Sequence, residues 1–361
     1  MPIEIVGMIG VKPEGADGAA VHVIGGEIDL AWVRDFSIAH ERADFDKVLV
    51  GYTSTSAEGF VVAGYAASRT ERLGYLIAHR PGFVAPTLAA RSAASLDHVT
   101  GGRVSLHIIT GGSDAEQARD GDWLDHDTRY RRTDEYLAVL RRMWTEDRPF
   151  DHAGEFYRVA RAFSEVRPVQ RPHIPLYFGG ASAAAHAIGA RHADVYMLWG
   201  EPLAAIRQRI AEVRAVARPL GREPRFSVSL RPIIADTEGA AWDRARAILA
   251  GVRARQGERA APAPEAVGAQ RLVEFARQAE VHDKRLWTAI AGAAGGQGNT
   301  TALVGTPEQV AESLLDYHDL GVTTLLIRGF DPLADAVDYG RELIPRVRAE
   351  VAQRDRNRPA A

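Results

Sequence analysis

Two short sequence blocks place donors and cations where an anion could be held. Thr110-Gly111-Gly112 closes the apolar run Val104 to Ile109, and Arg129-Tyr130 opens the amphipathic segment beyond the acidic loop that follows. A strand ending in Thr-Gly-Gly offers a hydroxyl and free backbone N–H groups. An Arg-Tyr pair at a helix start adds a guanidinium and a phenol, a set suited to clamping an anion. The stretch Pro175 to Ser182 (PLYFGGAS) repeats the device, with Gly179 and Gly180 leading to Ser182 at the head of a small-residue helix, Ala183–Ala190. Unpaired N–H groups, the helix dipole and one hydroxyl meet there. Ser182 serves equally well as an N-cap, worth about 1 kcal/mol, and a capping serine can also bond a phosphate. Together the blocks predict a site for a phosphate-bearing cofactor.

Other chemistries lack their residues. With no cysteine in the chain, disulfides, thiolate metal sites and cysteine nucleophiles are excluded. The 12 histidines are scattered without a His-x-His pair on an early strand, so no metal site is expected. His22, His40 and His282 fall in predicted loops or helices and read as surface residues. Neither a Walker loop nor a G-x-G-x-x-G after a first strand occurs. A net charge of −3 leaves no basic field for nucleic acid. No apolar run approaches the roughly 20 residues of a spanning helix, and Met1-Pro2-Ile3-Glu4 opens no signal peptide, so no membrane association and a cytoplasmic location are expected.

The elements that must position these residues alternate. Apolar runs at Ile3–Ile9, Lys47–Val50, Leu73–Ala78, Val104–Ile109, Pro175–Phe178, Val195–Leu198, Phe226–Ala235 and Thr323–Ile327 are separated by amphipathic segments such as Glu135–Trp144, Leu203–Val216 and Pro307–Leu320. Eight β-like runs, each followed by helix, make the count of an α/β fold of the (β/α)8 TIM-barrel type, and 361 residues suit one such domain spanning 1–361. Residues 253–300, rich in Ala, Gly, Arg, Gln and Pro, show no strand where one would be expected. They read as a mobile lid over the barrel mouth rather than a disordered insert. The tail from about Arg354 reads as frayed.

Barrel sites lie at the C-terminal ends of the strands. That rule selects Thr53 to Ser56, His79 and Arg80, His107, Thr110 to Gly112, Tyr177 to Ser182, Trp199 to Glu201, Arg231, and Arg328 to Phe330. His107, inside an apolar run, is equally readable as a core histidine bonded to a neighbour. Trp199 fits core packing as well as a flat ligand face.

Collinear segments over about residues 3–350 carry a resemblance. They are RPGFVAPTLAARSAASLDHVTGGRVSLHIITGG, LDHDTRYRRTDEYLAVLRRMW, LYFGGAS, WGEP and TALVGTPEQVAESLLDYHDLGV. The chain resembles the bacterial luciferase-like flavin monooxygenases, most closely their alkanesulfonate monooxygenase branch. The resemblance implies a barrel enzyme that takes reduced FMN from a separate NAD(P)H-dependent flavin reductase and uses molecular oxygen to oxygenate a small substrate, within a homodimer or homotetramer. It places His107, Thr110, Glu116, Arg129, Tyr130, Tyr177 and Ser182 against FMN, and His79, Gly179 and Gly180 join that cofactor set from the strand ends. Arg129, Tyr130 and Ser182 fall at the phosphate and ribityl end, with His107 near the ring.

Departures from the family pattern bear on the substrate. Where sulfonate enzymes carry Arg-Leu-His, this chain has Ser229-Leu230-Arg231; their lid arginine falls at Gly296, a tyrosine at Phe330 and the active-site cysteine at Ser56. Ser56, Trp199 and Arg231 are the expected catalytic positions. Arg80, Trp199, Arg231 and Phe330 are the expected substrate contacts. With fewer cations, the expectation is oxygenation of an alkanesulfonate, another organosulfur compound or a small polar molecule. The alternatives are a deazaflavin-dependent oxidoreductase on the same fold and a flavin-binding barrel without monooxygenase activity.

Overall fold

The computed structural model describes residues 3–13, 27–256 and 264–357. Strands β1 (Glu4–Ile9), β2 (Lys47–Val50), β3 (Gly74–His79), β4 (Val104–Ile108), β5 (Leu176–Gly179), β6 (Val195–Trp199), β7 (Arg225–Ile234) and β8 (Val322–Ile327) pair in chain order, all parallel, and β8 returns to β1. They form a closed eight-stranded TIM barrel, and they fall on the eight apolar runs. Strands buried on both faces read as continuous rather than alternating, and β3 is buried at every residue.

Helices α1 (Leu30–Arg42), α2 (Gly59–Ala67), α3 (Pro86–Thr100), α4 (Asp114–Arg119), α5 (His126–Thr145), α6 (Ala183–His192), α7 (Leu203–Ala217), α8 (Glu238–Gln256), α9 (Val267–Gln278), α10 (Ala289–Ala293), α11 (Pro307–Asp319), α12 (Pro332–Asp338) and α13 (Ile344–Asn357) lie between and after the strands, and an antiparallel hairpin, Phe150–Ala153 with Arg158–Ala162, stands apart from the barrel sheet. Local chemistry sets their ends. Asp125 caps α5 by accepting from Thr128 N, and α11 opens with a capping box between Thr306 and Gln309 followed by Pro307. The main core lies between strands and helices. A second, inner core of Val6, Leu76, Tyr177, Val195, Met197 and Leu326 fills the barrel. Because strand side chains alternate, those residues mark which positions of each strand face the axis.

The amino-terminal end of the barrel is plugged by a polar cluster. Glu4 pairs with Lys47 Nζ at 2.8 Å and accepts from Tyr177 Oη at 2.6 Å and Thr324 Oγ1 at 3.0 Å. Burial pushes the Glu4 carboxyl up, but Lys47 and the two hydroxyls outweigh it and hold the group below its usual range.

Three expectations change. Residues 264–300 are built rather than bare: α9, two short strands (Val281–His282 and Leu286–Trp287) and α10. These strands lead into a further strand, Ala302–Gly305, that was not expected and pairs in parallel with Arg231–Ile234 of β7. The segment's small residues let its helices pack closely, which composition alone reads as looseness; residues 257–263 lie outside the described residues. The tail remains helical to Asn357, and 358–361 lie outside as well. His40 is buried, wedged between α1 and β1 where Gly7 leaves room for its ring, with Nδ1 2.9 Å from Phe36 O. His282 is half-buried against α9, and His22 lies outside the described residues. No helix among the described residues is long and apolar enough to cross a membrane.

Candidate active site

At the carboxyl-terminal mouth, three groups of residues come together. The first joins the loop after β4 to the starts of α5 and α6. Gly111 holds φ +100°, and a Cβ there would run into the Gln117 side chain, so this turn requires glycine. It leaves Thr110 buried, with Oγ1 3.5 Å from Thr133 Oγ1. The Tyr130 hydroxyl lies near Ser182 and Thr110, both of which favour its charged form. Burial pushes this phenol up despite those two partners and the nearby Arg129. Ser182 caps α6, its Oγ accepting from Ala185 N at 3.2 Å. Gly180 lies under this group: a Cβ there would overlap the Ala185 methyl and stand 3.2 Å from Tyr130 Oη. Arg129 is buried, donating to Asp114 Oδ1 at 2.7 Å and Leu124 O at 2.5 Å, while its Nε has no partner among the described residues.

A second group flanks the mouth after β2 and β3. Arg80 lies over the Tyr52 ring, 4.5 Å from its centroid, and donates Nη2 to Glu116 Oε1 at 2.7 Å; Ser54 N donates to the same oxygen at 3.0 Å. Arg80 Nε and Nη1 are buried without a partner among the described residues. Tyr52 Oη donates to Asp120 at 2.7 Å, and burial pushes this phenol up to about 12. Ser56 closes a turn, its Oγ donating to Thr53 O at 2.9 Å and accepting from Thr53 N at 3.0 Å. An open cleft of about 350 Å³ beside this group is lined by Tyr52, Phe83, Asp120, Asp122 and Arg132.

The third group lies under the 264–300 segment. Trp199 ends β6 half-buried, its indole against Gly268 of α9, where a Cβ would stand 3.2 Å away. Glu201 is buried and clasped by Arg271 of α9 through two bonds of 2.7 and 2.5 Å. Asp114 N donates to Glu265 Oε2 at 3.2 Å, tying the segment to the first group. Arg231 is 1% exposed, neither solvated nor in an open pocket. It donates Nε to Asn299 O at 3.2 Å and Nη2 to Gly298 O at 3.0 Å, and lies 4.6 Å over the buried Phe330 ring. Arg328 donates to the same Gly298 carbonyl and contacts Met8 Sδ at 2.8 Å.

Between these groups, His107 continues the inner row of β4 and faces Gly179, where a Cβ would stand 3.5 Å from its Nε2. It has no hydrogen-bond partner among the described residues, so the bonded-core reading fails. Burial pushes it down to about 4, leaving a neutral ring at neutral pH.

Two expected residues are not brought to the mouth. His79 falls on the outward face of β3, 2.6 Å from Tyr136 Oη and edge-on to Phe60, because strand alternation sends it opposite to Leu76 and Ala78. Tyr177 faces the axis, but its hydroxyl is engaged by Glu4 in the amino-terminal plug. Met8, Glu265, Arg271 and Asn299 were missed. Nothing local marks them, since each meets its partner only once the barrel has closed.

The family model described as luciferase-like monooxygenase matches residues 7–324. The chain belongs to this family. Among solved structures it is similar to a riboflavin lyase determined with modified FMN and riboflavin, at 18% identity over 97% of this chain and 92% of that one, with a TM-score of 0.79. It is also similar to EDTA monooxygenase from Chelativorans sp. BNC1, at 20% identity over 97% and 94% of the two chains, with a TM-score of 0.76. An F420-dependent secondary alcohol dehydrogenase matches at 16% identity over 96% and 99%, with a TM-score of 0.70. At such identities the likeness is one of fold. Family membership makes the chain an enzyme, a monooxygenase of the luciferase-like type, and its mouth is where barrel enzymes of any kind carry their chemistry.

Proposed function

We propose that the chain is the oxygenating component of a two-component system, using reduced FMN from a separate NAD(P)H-dependent flavin reductase and molecular oxygen to oxygenate a small organic substrate, with organosulfur compounds such as alkanesulfonates first in line. The convergence of the Thr110, Tyr130 and Ser182 side chains at the start of α6 supports this reading most directly. A phosphate fits there. Gly180 keeps the approach free of a Cβ, α6 supplies unpaired N–H groups, and the unpartnered Nε of Arg129 adds positive charge nearby.

Bound there, reduced FMN would supply the electrons that activate oxygen. The chain's own residues bind, orient and exclude water. Thr110, Tyr130, Ser182 and Arg129 would hold the phosphate end, and His107 would meet the ring as a neutral imidazole that adds no charge beside it. Trp199, backed by α9, closes the mouth against water. Arg80 is kept in place by Glu116, and Ser56 shapes the loop beside it. Glu116 acts through Arg80 and Ser54 rather than by reaching across the mouth.

The test offers the purified protein reduced FMN or reduced F420, with and without oxygen, and a panel of sulfonates, sulfones and amines, read by mass spectrometry. Oxygen incorporation with reduced FMN is the expected result. Hydride transfer from reduced F420 without oxygen would replace this reading with a deazaflavin oxidoreductase. Flavin binding with no turnover across the panel would leave a binding barrel.

A further inference from the structure

Two guanidinium groups, Arg231 on β7 and Arg328 just after β8, converge on one carbonyl, that of Gly298. Both continue strand rows that face the barrel axis. Burial disfavours the charged form of both, and for Arg231 the like charge of Arg328 adds to that effect. Among the described residues no carboxylate pairs with Arg328. Its acceptors are a carbonyl and the weak thioether of Met8, and its buried Nε has none. Asp335, the buried acid whose charge reaches Arg231, is engaged by Arg244 and by the Phe330 and Asp331 N–H groups. A buried cation without an anion is costly, and a ligand oxyanion removes that cost.

The covering segment is of a kind that can give way. Gly295, Gly296, Gly298 and Asn299 all hold positive φ, so residues 295–299 form successive turns rather than a helix or strand. The Asn299 side chain fastens it, donating to Ser229 O at 2.8 Å and accepting from Gly200 N at 3.4 Å.

We propose that Arg328, backed by Arg231, is the oxyanion-recognition site for the substrate, and that the Gly298 carbonyl occupies the anion's place until the substrate displaces it. This rests on the monooxygenase reading for its context, since it assigns the substrate a sulfonate, carboxylate or phosphate head group. It departs from the expectation that Arg231, with Arg80, Trp199 and Phe330, would meet the substrate. Arg231 anchors the covering segment, and Arg328 carries the discrimination.

The test titrates the full-length protein anaerobically, with and without reduced FMN, using butanesulfonate, pentanoate, butyl phosphate and the neutral butyl methyl sulfone. At least one anion is expected to bind about 10-fold or more tightly than the sulfone. Arg328→Met should weaken that anion about 10- to 100-fold and leave the sulfone and reduced FMN unchanged. Arg328→Lys, which keeps the charge and protects against a folding failure, should fall between the two. Asn299→Ala should tighten the anion several-fold by loosening the competing carbonyl. No anion preference in the wild type, or an unchanged affinity in both Arg328 variants, overturns the proposal; unchanged or weaker binding in Asn299→Ala overturns the role of Gly298. Anion selectivity without reduced-FMN binding would leave this site standing and remove the cofactor reading instead.

Discussion

The residues of the proposed phosphate site are crowded enough for single atoms to matter. Arg129 is buried with an unpartnered Nε beside the Tyr130 phenol, so Arg129→Ala is expected to weaken reduced FMN by about 10- to 100-fold, the value of one charge-assisted bond of roughly 1.5–3 kcal/mol. An unchanged dissociation constant in equilibrium titration would move the phosphate elsewhere. Gly180→Ala tests the same place by addition. Its methyl would overlap that of Ala185, a backbone-fixed atom, and press on Tyr130 Oη, so α6 must shift. A loss of about 1–3 kcal/mol in stability, together with weaker flavin binding, is expected in denaturant unfolding and titration. Full stability with full flavin affinity would show that the cradle is roomier than its contacts suggest.

Among the elements, α9 packs over the residues of the mouth. It is held by Glu201 with Arg271, by Gly268 against Trp199 and by Glu265 with Asp114 N. Burial opposes the charge of Arg271, yet the bond to Glu201 dominates and raises the guanidinium above its ordinary value. Arg271→Met keeps most of the stem but strands a buried carboxylate. Hydrogen exchange in 264–278 is expected to speed up about 10-fold or more, with the barrel strands unchanged. Uniform exchange in the two proteins would make the pair incidental. If α9 works as a lid, flavin and substrate together should slow its proteolysis, and equal cleavage with and without them would leave it a fixed cover.

At the scale of the whole molecule, burial lowers five histidines among the described residues, and His40, His79 and the half-buried His107 link stability to pH most strongly. Burial pushes His40, His79 and His107 each down to about 4, and the Phe36 carbonyl recovers only part of this for His40. The unfolded chain takes up these protons near the ordinary value of 6.5, while the folded chain resists them until about 4. The stability they allow is therefore complete above about 6.5 and is lost as pH falls from there toward 4. The slope is roughly 1.4 kcal/mol per pH unit for each histidine. Urea unfolding at pH 7.5, 6 and 5 should show a falling midpoint, and a flat profile over that range would contradict the burial of these rings.

The barrel was legible because its strands, covered on both faces, must be apolar throughout and must recur with helices between them. The eight runs therefore mark β1 to β8 directly. Thr110, Tyr130 and Ser182 were legible for a local reason: glycine turns and helix starts write their chemistry into neighbouring residues. Which face a strand residue takes was not. His79 and Arg80 are adjacent, yet one packs outward on Tyr136 and the other reaches Glu116, and only closure of the sheet assigns the two sides. The 264–300 segment misled for the opposite reason, since its alanines and glycines permit close packing that composition cannot distinguish from slack. Glu201 finds Arg271, and Arg231 and Arg328 find Gly298, across separations of 70, 67 and 30 residues. Such pairings depend on how the chain returns over the mouth. The sequence by itself determined the scaffold and marked Thr110, Tyr130 and Ser182; the tertiary structure alone decided that they converge, what covers the mouth and which arginines meet there.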